Sequence, residues 1–131
     1  MAEPPISETK PSASFAGFRN QSELPTIYTA ADVLVLPSDA NESWGLVVNE
    51  AMACGVPVIV SEAVGCAPDL IDPGATGWTY PLGDVASLAQ RLINFCSANQ
   101  AALASKCKTY SMERATEGLQ LAVKPTVAGG I

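Results

Sequence analysis

From Ala31 onward the chain falls into short apolar runs separated by glycine- and proline-rich polar stretches, and the runs alternate between two periods. Asp32 to Leu36, apolar from Val33 on, and Val56 to Val60, broken only by Pro57, are runs of valine, leucine and isoleucine, and each predicts a fully buried strand. Between them, Gly45 to Ala53 carries Leu46, Val47, Met52 and Ala53 at helical spacing, and Gly55 stands where a helix is expected to stop. Upstream, Ser22 as N-cap with Pro25 in the first turn predicts a helix through about Ala31. Downstream, Gly65 to Thr76 is rich in Gly, Pro and Asp, with room for one helical turn at Pro68 to Ile71, and Gly77 to Tyr80 reads as a short strand. Asp84 opens a helix whose Val85, Leu88, Leu92 and Phe95 form an apolar stripe. Further helices are expected from about Ala98 to Thr109 and from Ser111 to Val123, the last opened by Ser111-Met112-Glu113. Phe15 to Phe18 is an isolated apolar run around Gly17.

Strands and helices in strict alternation, with strands apolar throughout, imply an α/β fold: a Rossmann-like parallel sheet flanked by helices. Ligands of such sheets sit beyond the carboxyl ends of the strands. The loop from Pro37 to Trp44 leaves the Val33 to Leu36 strand at that end and leads straight into a helix start. The expected organisation is a disordered tail over 1–14, one domain over 15–124 and a frayed tail over 125–131.

Composition narrows the function classes. With 131 residues, 48% hydrophobic and 15% charged, the chain is long enough for one globular core and too apolar for disorder. No apolar run approaches the roughly 20 residues of a membrane span, and Met1 to Ser14 lacks the pattern of a secretory signal. Net charge is −6, and its placement matters more than its total: residues 20 to 90 hold nine acids and no Lys or Arg. Nucleic acid is therefore not expected as a partner, because its binding relies on cations that neutralise phosphates. The four cysteines, Cys54, Cys66, Cys96 and Cys107, form no Cys-x-x-Cys pair and occur without histidine, so no zinc or other metal is expected. Reduced structural thiols and a cytoplasmic location fit them best.

The candidate chemistry lies in Glu42-Ser-Trp-Gly-Leu-Val-Val-Asn-Glu50, two carboxylates eight positions apart across a helix start. Unpaired amides of Trp44, Gly45 and Leu46, with the helix dipole, would receive a phosphate, and Gly45 would let a ligand approach the backbone. Alternatively, Ser43 caps the helix and Gly45 is a turn residue. Glu42 and Glu50 are both expected to face one crevice, where carboxylates accept from pairs of sugar hydroxyls. Two glutamates at this spacing also suit a solvated helix face. The small apolar Ala51-Met-Ala-Cys-Gly55 that follows argues instead that the helix is buried and that Glu50 needs a partner.

Taken in order, Ala31-Asp-Val-Leu-Val-Leu-Pro-Ser38, Glu42 to Glu50, Ala51-Met-Ala-Cys-Gly-Val-Pro-Val-Ile59 and Gly74-Ala-Thr-Gly-Trp78 make the chain, from Phe15 to about Leu119, similar to the C-terminal portion of group 1 (family 4) retaining glycosyltransferases of GT-B fold. The resemblance is to the second half of their C-terminal nucleotide-binding domain. It implies a nucleoside diphosphate sugar as donor, with transfer to an acceptor hydroxyl and retention at the anomeric carbon. Glu42 then matches the residue that contacts donor sugar hydroxyls, Glu50 the one that holds the nucleotide ribose, and Trp44, Gly45 and Leu46 the segment whose amides meet the sugar and diphosphate. Trp44 stands where phenylalanine is commoner. The leaving diphosphate is stabilised in that family by Arg, Lys and helix-start amides rather than by an obligatory metal. The phosphate takes the acceptor proton, so neither glutamate is a general base.

The same resemblance implies that the acceptor-binding domain and the basic first half of the donor domain are missing, consistent with the absence of cations over 20–90. The isolated chain is accordingly expected to be inactive. The rival expectation is a non-catalytic interaction module that keeps the fold, with an open edge near Phe15 to Phe18 inviting self-association or pairing with a chain carrying the missing half. A generic nucleotide-binding module has less support, since neither Gly-x-Gly-x-x-Gly nor a P-loop occurs.

Overall fold

The computed structural model describes residues 13–95 and 100–111, together with 113, 114, 116, 117 and 120. Most of the expected tail over 1–14, all of that over 125–131, Cys96 and the end of the last expected helix lie outside the described residues. The elements run α1 (Leu24–Thr29), β1 (Leu34–Leu36), α2 (Leu46–Ala53), β2 (Val58–Ser61), α3 (Ala67–Leu70), β3 (Gly77–Tyr80), α4 (Val85–Asn94) and α5 (Gln100–Thr109). The three strands form one parallel sheet in the order β1-β2-β3, with Leu34 beside Val58 and Val58 beside Gly77. This is the expected α/β arrangement.

All four residues of the central strand β2 are buried, as a strand covered on both faces must be. Val58 and Val60 point into the main core, where they meet Val48, Ala51 and Met52 of α2, Ala67 and Leu70 of α3, and Leu103 of α5. Ile59, also fully buried, alternates to the opposite face. β1 is only half-buried, contrary to the sequence expectation, because it is an edge strand with β2 on one side alone.

Local chemistry explains where the helices start and stop. Gly55 has φ 77°, and the amides of Gly55 and Val56 donate back to Met52 and Ala51 at 3.0 Å, the paired bonds of a left-handed glycine stop. Asp84 caps α4 by accepting from the Ser87 amide and hydroxyl, which hold its carboxyl below the usual range. Ser111 accepts from the Arg114 amide at 3.3 Å, matching its expected role at a helix start. Ser22 does not cap α1: Glu23 occupies that position, with its carboxylate turned back to the Asn20 amide.

The remaining apolar stretches differ in how far they are covered. The α4 stripe is covered only in part: α4 packs against β2 and β3 with Leu88 and Phe95 half-buried, none of its residues is fully buried, and Val85 is 77% exposed. Residues 13–20 form no strand, and Phe15 and Phe18 are 98% and 92% exposed. A lone apolar run without a neighbouring strand to pair its backbone has no reason to extend.

Glycines set the closest approaches. A Cβ on Gly65 would lie 1.8 Å from the Ser43 carbonyl oxygen, whereas at Gly74, where φ is +77°, it would meet nothing within 4 Å. Gly65→Ala should therefore cost about 3 kcal/mol through forced displacement of the loop, against about 1 kcal/mol for Gly74→Ala from backbone strain alone. Urea denaturation of the two variants measures the difference, and equal losses would contradict the loop contact.

Candidate functional site

Beyond Leu36 the chain turns at Asp39, whose carboxylate accepts from the Asn41 amide at 2.9 Å while its carbonyl accepts from the Glu42 amide at 3.1 Å. The following residues lie on the turn after β2: the Cys66 amide donates to the Trp44 carbonyl at 3.0 Å. Two loops from the carboxyl ends of adjacent parallel strands are thus joined backbone to backbone, where a ligand crevice is expected.

Gly45 is the N-cap of α2, at φ 91° and ψ 62°. A Cβ there would sit 3.0 Å from both Leu36 Cδ2 and Val64 Cγ1. The missing Cβ therefore makes room for the core, not for a ligand as the sequence reading supposed. What the left-handed turn does is open the helix start. No side chain caps α2, Ser43 is exposed and makes no bond to the helix, and among the described residues the amides of Gly45, Leu46 and Val47 find no acceptor. Three converging donors with the helix dipole behind them suit an anion.

Glu50 lies just over one turn along α2 and is half-buried. Its Oε2 accepts from the Tyr28 hydroxyl at 2.6 Å, while among the described residues Oε1 takes no donor. The partner expected for a buried acid is thus a tyrosine on α1. Burial, reinforced by the bond to Glu50, pushes the Tyr28 phenol up to about 12. Both residues line a pocket of about 350 Å³ between α1 and α2, with Gln21, Leu24, Pro25 and Cys54 among its other walls. No motif marks Tyr28. The available signal was its spacing from Leu24, four residues on along the same short helix.

Glu42 does not line this pocket. It is half-buried on the loop, and its charge acts on Cys66. The Cys66 thiol is pushed up to about 11 mainly by burial, with Asp69 and Glu42 adding to it. The two glutamates consequently meet different neighbours, and the pocket beside Glu50 is not one crevice holding both.

Trp44 turns its side chain toward α5. Its Nε1 donates to Asn49 Oδ1 at 2.7 Å and its ring lies 6.0 Å from that of Tyr110, so only its backbone is directed at the helix start. Leu46 is 67% exposed on the outer face of α2, beside Val47.

Cations on both sides of residues 20–90 are engaged: Arg19 Nε donates to the Ala16 carbonyl at 2.9 Å and its guanidinium pairs with Glu23 at 3.5 Å. Arg91 Nε donates to the Thr79 carbonyl at 3.1 Å, and Lys106 Nζ binds the Asp69 carbonyl at 2.9 Å and Asp72 Oδ1 at 3.2 Å. Among the described residues no three His, Cys, Asp or Glu side chains come together as metal ligands, and no helix is long and apolar enough to cross a membrane.

This geometry sits in a sequence that matches the family profile "Glycosyl transferases group 1" over residues 7–114. The chain belongs to that family. The D-inositol 3-phosphate glycosyltransferase of Mycobacterium tuberculosis H37Rv is 33% identical over 109 residues, covering 77% of this chain and 22% of the relative. Sucrose-phosphate synthase from Thermosynechococcus elongatus shares the fold with TM-score 0.70 and 33% identity, over 83% of this chain and 29% of that one. Alr3699/HepE of Anabaena, solved in complex with UDP-glucose, follows with TM-score 0.66 and 25% identity, over 80% and 30%. Group 1 glycosyltransferases of GT-B fold thus share this sheet and its helices, and the chain spans under a third of the length of the proteins it matches.

The protonated states packed into this region give a pH dependence. Tyr28, Cys66 and Cys107 each hold a proton more tightly in the folded chain than in the unfolded one, chiefly through burial. As pH rises the unfolded chain loses these protons first, so their stabilisation is complete below the ordinary thiol value of 9.0 and is lost toward about 12. Urea midpoints should accordingly decline from pH 9.0 upward, and less steeply in Cys66→Ala. A flat profile over that range would contradict the burial of these groups.

Proposed function

We propose that this chain supplies part of the donor site of a retaining hexosyltransferase, binding a nucleoside diphosphate sugar for transfer to an acceptor hydroxyl. The observation that carries this is the single helix α2, which presents acceptor-less amides at its start and the carboxylate of Glu50 in a pocket one turn on. A ligand with an anion at one end and a diol at the other matches that pair. The complexes of Alr3699/HepE with UDP-glucose and with UDP, the latter 31% identical, support a nucleotide sugar.

In this assignment Glu50 Oε1 accepts from the ribose hydroxyls and Glu42 from hydroxyls of the donor sugar. The amides of Trp44, Gly45 and Leu46 meet the sugar and diphosphate. The bond from the anomeric carbon to the diphosphate oxygen breaks as the acceptor oxygen bonds the same face of that carbon. The acceptor proton passes to a phosphate oxygen. Helix-start amides stabilise the charge that develops on the leaving group. Neither glutamate is assigned a proton transfer, and no metal is assigned a role. The reading places the chain in the cytoplasm, where nucleotide sugars are supplied.

A leaving diphosphate also needs cations, and residues 20–90 contain none, while Arg91 and Lys106 are bound elsewhere. The isolated chain should show no transfer above background in a radiometric assay with UDP-, GDP- and ADP-sugars; measurable turnover would refute the incompleteness. The same sugars should shift amide resonances over residues 45–50 in NMR titrations, and Glu50→Ala should abolish the shifts.

One feature favours the second reading, an interaction module. The open edge of β1 and the exposed rings of Phe15 and Phe18 are surfaces that a second copy, or a chain bringing the missing half, would cover. Light scattering after size exclusion should show mass rising with concentration; a strict monomer lacking NMR response to any of the sugars would leave neither reading standing.

A further inference from the structure

α1 is an unusual wall for a binding pocket. It is six residues long, none of them fully buried, and its side chains contribute nothing to its own N-terminal cap. Among the described residues, the bond from the Tyr28 hydroxyl to Glu50 Oε2 is the one hydrogen bond that joins α1 to α2. It spans 22 positions of sequence and closes one side of the pocket that Leu24, Pro25 and Tyr28 share with Glu50.

We infer that Tyr28 is a positioning residue of the donor site: its hydroxyl fixes one oxygen of Glu50 so that the other is presented to the ribose diol of the nucleotide. The inference rests on the reading of Glu50 as the ribose-binding carboxylate. A glutamate side chain has three rotatable bonds, and fixing it costs rotamer freedom. Where Tyr28 has already fixed it, that cost does not fall on ligand binding. The phenol can do nothing else here. It stays protonated throughout the neutral range, so toward Glu50 it acts as donor, never as base. Tyr28→Phe keeps the ring against α2 and removes only the donor.

The test uses the whole chain with UDP, GDP and ADP and, for whichever binds, the analogue lacking both ribose hydroxyls, with affinities taken from NMR titration. The wild-type chain should prefer the diol-bearing nucleotide. Tyr28→Phe should weaken that nucleotide about tenfold, bringing it to the level of the dideoxy analogue, and leave the analogue's own affinity unchanged. A purely structural role for Tyr28 would weaken both ligands alike, and that outcome overturns the inference. A preference for the diol that disappears in Glu50→Ala yet persists in Tyr28→Phe also overturns it, while leaving Glu50 as the ribose ligand. If no nucleotide binds the wild-type chain, or none is bound better than its dideoxy analogue, the reading of Glu50 falls and the role of Tyr28 falls with it.

Discussion

The rest of the site depends on one steric constraint: the backbone at Ser43 to Gly45 lies directly on the Gly65-Cys66 turn. The contact is possible only because both loops present glycine, Gly65 to clear the Ser43 carbonyl and Gly45 to fit against Leu36 and Val64 at a left-handed φ. The bond from the Cys66 amide to the Trp44 carbonyl then fixes the register of the two loops. Gly45 in this conformation ends the loop and begins α2 without a side-chain cap, and that leaves the first amides of the helix without acceptors. Packing inside the core therefore produces a polar feature at the surface. A glycine that looks like a device for admitting ligand works by admitting Leu36 and Val64 instead.

The two halves of the candidate site differ in how firmly they are held. Val48, Ala51 and Met52 seat α2 in the core against β2 and α5, so the amides at its start are carried on rigid structure. The pocket beside Glu50 is bounded on its other side by α1, which contributes no fully buried residue and is tied to α2 by Tyr28. Segments with few buried apolar contacts open at lower free-energy cost than the core they lie on. The start of α2 is thus held by the core, whereas the end beside Glu50 is held by the single bond from Tyr28.

Much of this fold was legible in the residues, and the failures share a cause. β3 has the predicted bounds, α2 stops at Gly55 by the predicted bonds, and the parallel order follows from apolar strands alternating with helices. These are local patterns or consequences of burial on both faces. The expectations that failed concerned what lies beside an element. Asp32 to Leu36 read as fully buried, yet β1 is an edge; Val85 belongs to the apolar stripe of α4, yet it is 77% exposed. A period of two or of 3.6 reveals which residues share a face, but not whether a neighbour exists to cover it. At the site, the residue types and the helix start were legible, and so was the need of Glu50 for a donor. Tyr28 was not, because a contact spanning 22 positions leaves no local pattern.

Charge limits what these residues could do on the proposed reading. In that reading, amides at the helix start would offer partial positive charge to a diphosphate, which suffices to orient an anion but not to balance the carboxylates of Glu42 and Glu50. Lys106 could have supplied a full charge, but its bonds to the Asp69 carbonyl and Asp72 pin α5 to α3 and the residues that follow it. Releasing it would remove the ion pair that, with the bond from Tyr110 to Asp69, holds the end of α5 beside Trp44. Lys106 is thus committed to holding α5, which packs on α2. On the proposed reading, the charge that a leaving diphosphate requires comes from residues outside 20–90.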